Sequence, residues 1–202
     1  MLKIVVLVSG SGTNLQAIIN AINAKKIAAE IALVLSDKPN AYGLVRAENA
    51  NIPALSMEPK DYHSREAYDT ALAEVIADTG AELIVLAGFM RILGEAFVER
   101  FCERIINIHP ALLPAFPGLN AQKQAWEYGV KVSGCTVHIV DSGMDTGPII
   151  AQNVVPVLAE DTADSLAARI LIQEHIIYPE VIGWWAENRI KVVDGKVVVN
   201  KE

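Results

Sequence analysis

The sequence predicts an α/β fold: a single domain whose mostly parallel, twisted sheet is flanked by helices in a Rossmann-like arrangement, with a mixed-sheet C-terminal half and a terminal β-hairpin. Three observations carry this. Short apolar runs alternate with stretches whose apolar residues recur at helical spacing, the pattern of strands buried between crossover helices. That alternation changes after residue 109, where Pro110, Pro114, Pro117 and Gly118 crowd one loop. The hydrophobic fraction is 52% over 202 residues, enough to fill one large core without disulfides.

Ile4 to Val8 reads as the first strand. Gly10-Ser11-Gly12 turns the chain into a helix in which Leu15, Ile18, Ile19 and Ile22 fall at i, i+3, i+4 and i+7, one face of a 3.6-residue period. The alternation continues through Ile31 to Leu35, Ile52 to Met57, the segment after Ser64 with Leu72, Val75 and Ile76, then Leu83 to Ala87 and Ile105 to Ile108. Gly134 to Asp141 alternates like a strand and opens the mixed-sheet half. Asp161 to Glu187 reads as a helix striped by Leu166, Ile170, Ile177 and Val181. Pro179 lacks an N–H and crowds the preceding turn, so it is expected to kink or divide that helix. Asp194-Gly195 between two apolar runs is a strong hairpin signal. No linker-like composition or repeat interrupts the chain, so one domain is expected over 1–202, with a phosphate- or nucleotide-binding half at 1–109 and a second half at 110–202.

Lys+Arg 17 against Asp+Glu 24 leaves a net charge of −7, without the basic excess of a nucleic-acid binder. Cys102 and Cys135 are too few for a disulfide framework or a zinc spacing, which suits a reducing compartment. The N-terminal apolar run has no small-residue cleavage pattern, and no stretch approaches the roughly 20 apolar residues of a spanning helix. The expectation is a cytoplasmic protein with small-molecule partners, no membrane or nucleic acid, and a monomeric or homodimeric state.

Ligands of parallel sheets bind beyond the carboxyl ends of strands, so chemistry is sought there. Gly10-Ser11-Gly12-Thr13-Asn14 follows such an end. Its backbone N–H groups and the helix dipole can meet a phosphate, or the segment is an ordinary turn capped by Thr13 or Asn14. Asn107 and His109 stand two apart at a strand end and share a face. Such a pair can donate to a developing oxyanion, or His109 is a satisfied histidine beside a proline. Asp141 to Pro148 carries two acids in a glycine-interrupted loop, where a carboxylate can orient an imidazole or cap a turn. Gln173 and Glu174 interrupt an apolar stripe and need partners, either protein or ligand. His138 and His175 read as packing or surface residues, and with His63 and His109 they lack zinc-site spacing. No GxSxG nucleophile elbow occurs.

Seven stretches in order are far more specific than any one motif: Ser9-Gly10-Ser11-Gly12-Thr13-Asn14-Leu15-Gln16, Ser64 to Asp69, Val85 to Leu93, Asn107-Ile108-His109-Pro110 to Pro114, Gly134 to His138, Asp141 to Pro148, and Gln173 to Pro179. Together they span nearly the whole chain, which resembles the folate-dependent formyltransferases. The resemblance implies transfer of a formyl group from 10-formyltetrahydrofolate, as co-substrate and without a metal, to the amine of 5-phosphoribosylglycinamide (GAR). It implies Asn107, His109 and Asp145 as catalytic residues, and Gly12, Thr13, Asn14, Gln173 and Glu174 on the GAR side. It implies Arg65, Met90, Arg91, Ile92, Leu93, Asn107, Asp141, Ser142, Gly143, Met144 and Asp145 on the folate side, so that the half 110–202 completes the folate site. One departure stands out: Ala115 replaces a basic residue that some relatives carry before the aromatic-Pro-Gly, leaving Lys123 as the nearby cation. Two other readings are kept. A formyltetrahydrofolate deformylase would use the same Asn-His-Asp set with water as nucleophile. A nucleotide-binding module would use Gly10 to Gly12 and Asp37 and leave that set idle. Relatives with an added tRNA-binding or regulatory domain do not match a 202-residue chain that begins at its first strand.

Overall fold

The computed structural model describes residues 1–200. The chain forms two compact units, Met1–Ile106 and the segment from Asn107 on. A seven-stranded sheet has the order β3 (Ala54–Ser56), β2 (Ala29–Ser36), β1 (Leu2–Val8), β4 (Leu83–Leu86), β5 (Ile105–His109), β6 (Val132–Ile139), β7 (Ile149–Pro156), and a separate two-stranded sheet pairs β8 (Ile190–Val193) with β9 (Lys196–Val199).

In the first unit, β1 (Leu2–Val8) leads into α1 (Thr13–Asn23), β2 (Ala29–Ser36), α2 (Tyr42–Asn49), β3 (Ala54–Ser56), a turn of 3-10 helix (Pro59–Asp61), α3 (Arg65–Asp78), β4 (Leu83–Leu86) and α4 (Glu95–Arg100). β1 is the axis. It pairs in parallel with β2, from Leu2 opposite Ala29 to Val8 opposite Ser36, and with β4, from Ile4 opposite Leu83 to Leu7 opposite Leu86. A strand with neighbours on both sides and covered faces has no use for polar side chains, and Ile4 to Val8 are fully buried. The carboxyl ends of β1 and β4 release two loops, 9–12 and 87–94, which carry Gly12 and Met90 to Leu93; Thr13 and Asn14 open α1, and Arg65 opens α3. Ser64 caps α3, its Oγ accepting from the Ala67 N–H at 3.1 Å.

The boundary falls inside β5 (Ile105–His109), and the second unit continues from Asn107 through α5 (Ala121–Tyr128), β6 (Val132–Ile139), β7 (Ile149–Pro156), α6 (Ala163–Ala186), β8 (Ile190–Val193) and β9 (Lys196–Val199). β6 and β7 pair antiparallel, which makes this half the mixed part of the sheet. α6 packs on β6, β7 and α5. It begins with a Thr162–Ser165 capping box, braced by Asp161, which accepts from both Arg169 terminal nitrogens at 2.9 and 2.6 Å. The hairpin turn places Asp194 and Gly195 at φ 51° and 71°, as a two-residue turn requires. Leu113–Pro114 is a cis peptide.

Of the two outcomes expected at Pro179, a kink or a division of the late helix, division does not occur. α6 runs unbroken for 24 residues with Pro179 inside it. Tyr178, Val181 and Ile182 beside the proline are fully buried, and packing of such a face outweighs one missing backbone bond. Among the described residues no helix is long and apolar enough to cross a membrane.

Candidate functional site

In the second unit the strand period places Asn107 and His109 on one side of β5. The turn after β6 returns a carboxylate to them: Asp145 Oδ2 lies 3.3 Å from His109 Nδ1, and its Oδ1 lies 3.6 Å from His138 Nε2. His138 Nε2 is 3.2 Å from Asn107 Nδ2. The four side chains thus form one chain of contacts, His109 to Asp145 to His138 to Asn107. His109 and His138 are 4% and 2% exposed, so these polar groups need each other.

The acceptors fix the protons. His138 Nδ1 faces the Ile139 carbonyl at 2.9 Å. A carbonyl only accepts, so Nδ1 carries hydrogen; Nε2 stands between the Asn107 amide and Asp145 Oδ1, taking the amide on its lone pair in the neutral ring and donating to the carboxylate in the charged one. The bond from the Asn107 amide sets the plane of that carboxamide. His109 Nε2 likewise donates to the Phe116 carbonyl at 2.8 Å, while its Nδ1 faces Asp145. Only the imidazolium donates on both sides at once. For Asp145, burial pushes the carboxyl up, but hydrogen bonding from His138 and the Gly118 N–H at 2.8 Å, with the charges of both histidines, holds it below the ordinary aspartate value.

The rest of the loop 141–147 is tied by Asp141, whose Oδ1 accepts from the Gly143 N–H at 3.1 Å and from the Thr146 hydroxyl at 2.8 Å. Gly143 has to be glycine, because a Cβ there would fall on Thr146 Oγ1. Ser142 and Met144 are exposed within this loop. On α6, Gln173 Oε1 accepts from Asn153 at 3.2 Å and Glu174 is 6% exposed. Burial, with the Glu174 charge, pushes the Cys135 thiol up to about 12, so Cys135 is an inert packing residue. Lys123 lies on the exposed face of α5, 3.6 Å from Glu127.

In the first unit, Gly12 caps α1 in the left-handed region at φ 67° with no side-chain cap. A Cβ on Gly12 would lie 2.6 Å from the Gly43 Cα, so α2 approaches the turn this closely because residue 12 is glycine, while a Cβ on Gly43 would meet the Val8 side chain at 2.8 Å. Arg46 Nε donates to the Ser11 carbonyl at 2.8 Å. Thr13 and Asn14 open the helix, and Asn14 is buried. A cavity of about 630 Å³ adjoins this turn, lined by Ser9, Gly10, Ser11, Lys38, Tyr42 and Lys60 among others. The second loop, after β4, exposes the side chains of Met90 and Ile92 and buries Leu93. Arg65 donates through Nη2 to the Ile92 carbonyl at 2.8 Å, and Arg91 stacks on the Tyr68 ring at 4.8 Å.

His138 is a member of this contact chain that sequence reasoning does not single out. Expected as a packing or surface residue, it is buried, and it also touches Asp145 and Asn107. Its place at the carboxyl end of a strand, the position used to single out Asn107 and His109, was the available signal. Among the described residues no group of three His, Cys, Asp or Glu side chains is placed to hold a metal ion.

Residues 2–182 match the formyl transferase family. The chain is 47% identical over 191 residues to the phosphoribosylglycinamide formyltransferase of Escherichia coli K12, covering 95% of this chain and 90% of that one. It is 46% identical over 202 residues to the trifunctional purine biosynthetic protein adenosine-3 of Drosophila melanogaster, covering 99% of this chain but only 14% of that much longer protein. The crystal structure of glycinamide ribonucleotide transformylase 1 from Symbiobacterium toebii superposes with a TM-score of 0.97 at 52% identity, covering 100% of this chain and 95% of that one.

Proposed function

The chain belongs to the formyl transferase family, and from that premise we propose that it transfers the formyl group of 10-formyltetrahydrofolate to the amine of GAR, giving formyl-GAR and tetrahydrofolate in purine synthesis. The observation that carries this reading is the contact chain His109–Asp145–His138–Asn107, which aligns two hydrogen-bond donors behind one ionised carboxylate.

The backbone N–H groups of Gly12, Thr13 and Asn14, at a helix start that no side chain caps, and the positive end of α1 suit the GAR phosphate. Gln173 and Glu174 serve the ribose and glycinamide side, a carboxylate being suited to a cationic amine. Met90, Arg91, Ile92 and Leu93, with Arg65, and Asp141, Ser142, Gly143, Met144 and Asp145, with Asn107, serve the folate. The exposed side chains of Met90, Ile92 and Met144 offer apolar faces to a ring system.

In the reaction the neutral GAR amine adds to the formyl carbon. A C–N bond forms and the carbonyl electrons move onto oxygen. Asn107 Nδ2–H and the imidazolium of His109 donate to that oxygen. For His109 this means that the substrate oxygen replaces the Phe116 carbonyl on Nε2. Asp145, kept ionised at neutral pH, stabilises the imidazolium and takes up the amine proton through water. The oxyanion electrons then re-form the carbonyl as the bond to the folate nitrogen breaks, that nitrogen takes the proton back from Asp145 through water, and tetrahydrofolate leaves. Each oxyanion donor removed should cost about 10²-fold or more in kcat.

Incubation with 10-formyltetrahydrofolate and GAR, with the products separated by chromatography, is expected to yield formyl-GAR. His109→Ala is expected to lower that rate by at least about 10²-fold while calorimetry shows GAR binding within twofold of wild type. Near-wild-type turnover would remove His109 from the mechanism, and no formyl-GAR from the wild type would overturn the function.

A further inference from the structure

A charged residue in the middle of a helix and almost fully buried needs an explanation. Asp69 of α3 is such a residue, 7% exposed. Its Oδ2 accepts from the backbone N–H of Gly94 at 2.9 Å and lies 3.7 Å from Nε of Arg65, one turn earlier. Arg65 in turn donates to the Ile92 carbonyl at 2.8 Å. Tyr68, the residue before Asp69, carries the Arg91 guanidinium on its ring at 4.8 Å. Three side chains of one helix therefore hold Arg91, Ile92 and Gly94, the length of a single loop. At its other end the loop is held by Ser9, which donates its N–H to the Gly88 carbonyl at 3.1 Å and accepts the Met90 N–H on Oγ at 2.8 Å.

We propose that Asp69 is a positioning residue for the donor substrate: it fixes the segment 90–94 by gripping the Gly94 amide directly and the Ile92 carbonyl through Arg65, so that the exposed side chains of Met90 and Ile92 are presented in a binding-ready arrangement. This rests on the assignment of that segment to the folate side. The fit is close from both directions. A Cβ on Gly94 would stand 2.7 Å from Asp69 Oδ2, so the loop reaches the carboxylate only because residue 94 has no side chain. Arg65, oriented by Asp69 and committed to a backbone carbonyl, acts here as a strut. A loop ordered before binding does not have to be ordered by the ligand, and that saving appears as affinity for whatever the loop contacts.

Two variants test this from opposite sides. Asp69→Asn removes the charge that holds both the Gly94 amide and Arg65 with almost no change in size. Gly94→Ala leaves Asp69 in place and forces the loop away from it. Both are expected to raise KM for 10-formyltetrahydrofolate about tenfold, the weight of one charge-assisted hydrogen bond, with kcat and the KM for GAR within twofold. Exchange of the Gly94 amide with solvent is expected to accelerate in Asp69→Asn. A donor KM equal to wild type, or a lower kcat with both KM values raised together and a lowered Tm, would make Asp69 a merely structural residue and overturn the proposal. Should the wild type transfer no formyl group, the functional reading fails, and tetrahydrofolate affinity measured by calorimetry still decides: weaker binding in Asp69→Asn upholds the positioning role, while equal binding, or none to the wild type, overturns it.

Discussion

The loops 88–94 and 141–147 are both assigned to the folate side, and they are held in opposite ways. In 88–94 the loop supplies backbone groups and side chains from elsewhere grip them: Ser9 takes the Met90 amide, Arg65 the Ile92 carbonyl and Asp69 the Gly94 amide. In 141–147 the loop's own acids do the holding. Asp141 binds Gly143 and Thr146 within the loop, and Asp145 reaches out to Gly118, His109 and His138. The first arrangement presents a surface and leaves its shape under the control of α3. The second delivers a charged group to a chosen atom. On this account, damage to the braces of 88–94 should weaken binding, and damage to the acids of 141–147 should reach the rate.

The largest expected effect is therefore at Asp145. Asp145→Asn should lower kcat by about 10²-fold and displace the pH–rate profile to lower pH, because the imidazolium of His109 loses the carboxylate that faces it. The sign for stability follows from the same residue. Its folded-state carboxyl is held below the ordinary value, so its contribution is present above the unfolded value of about 3.9 and lost as pH falls through the lower folded one. The variant should lack that share of acid sensitivity when urea midpoints are followed below about pH 4. A pH–rate curve coincident with wild type would take Asp145 out of the chemistry. A smaller effect is expected at Asp141, whose removal in Asp141→Ala breaks the internal ties of the loop. Donor KM should rise about three- to tenfold, and kcat should fall with it if the displaced loop carries Asp145 away; an unchanged kcat would show that Gly118 and the two histidines hold Asp145 without it. The smallest is Ser9→Ala, which deletes one brace of 88–94 and should raise donor KM about threefold with kcat untouched. A fall in kcat there would erase the contrast between the loops.

The same contrast decides what could be read in the sequence. The self-held loop announces itself, since Asp-x-Gly-x-Asp after an alternating strand puts acids and glycine at turn spacing. The externally held loop does not, because nothing in Met90-Arg91-Ile92-Leu93 says that Asp69 and Ser9, far away in sequence, grip its backbone. The strand β1, the buried face of α1 and the Asp194-Gly195 hairpin were legible because each rests on a local period or turn. The helices α2, α4 and α5 run only eight, six and eight residues, too short for a period to stand out. At Pro179 local chemistry predicts a kink or a break, and tertiary packing overrides the break. Asn107 and His109 were visible as a pair from the strand period. The tie of Asn107 to His138 was not, since it joins residues 31 apart in the sequence.

The most direct test of the central claim is the consumption of 10-formyltetrahydrofolate by the purified chain, followed by absorbance with GAR present and then absent. Release of tetrahydrofolate is expected to depend strictly on GAR. Release at the same rate without GAR would show that water is the acceptor and would replace the transferase with a hydrolase built on the same His109, Asp145 and Asn107.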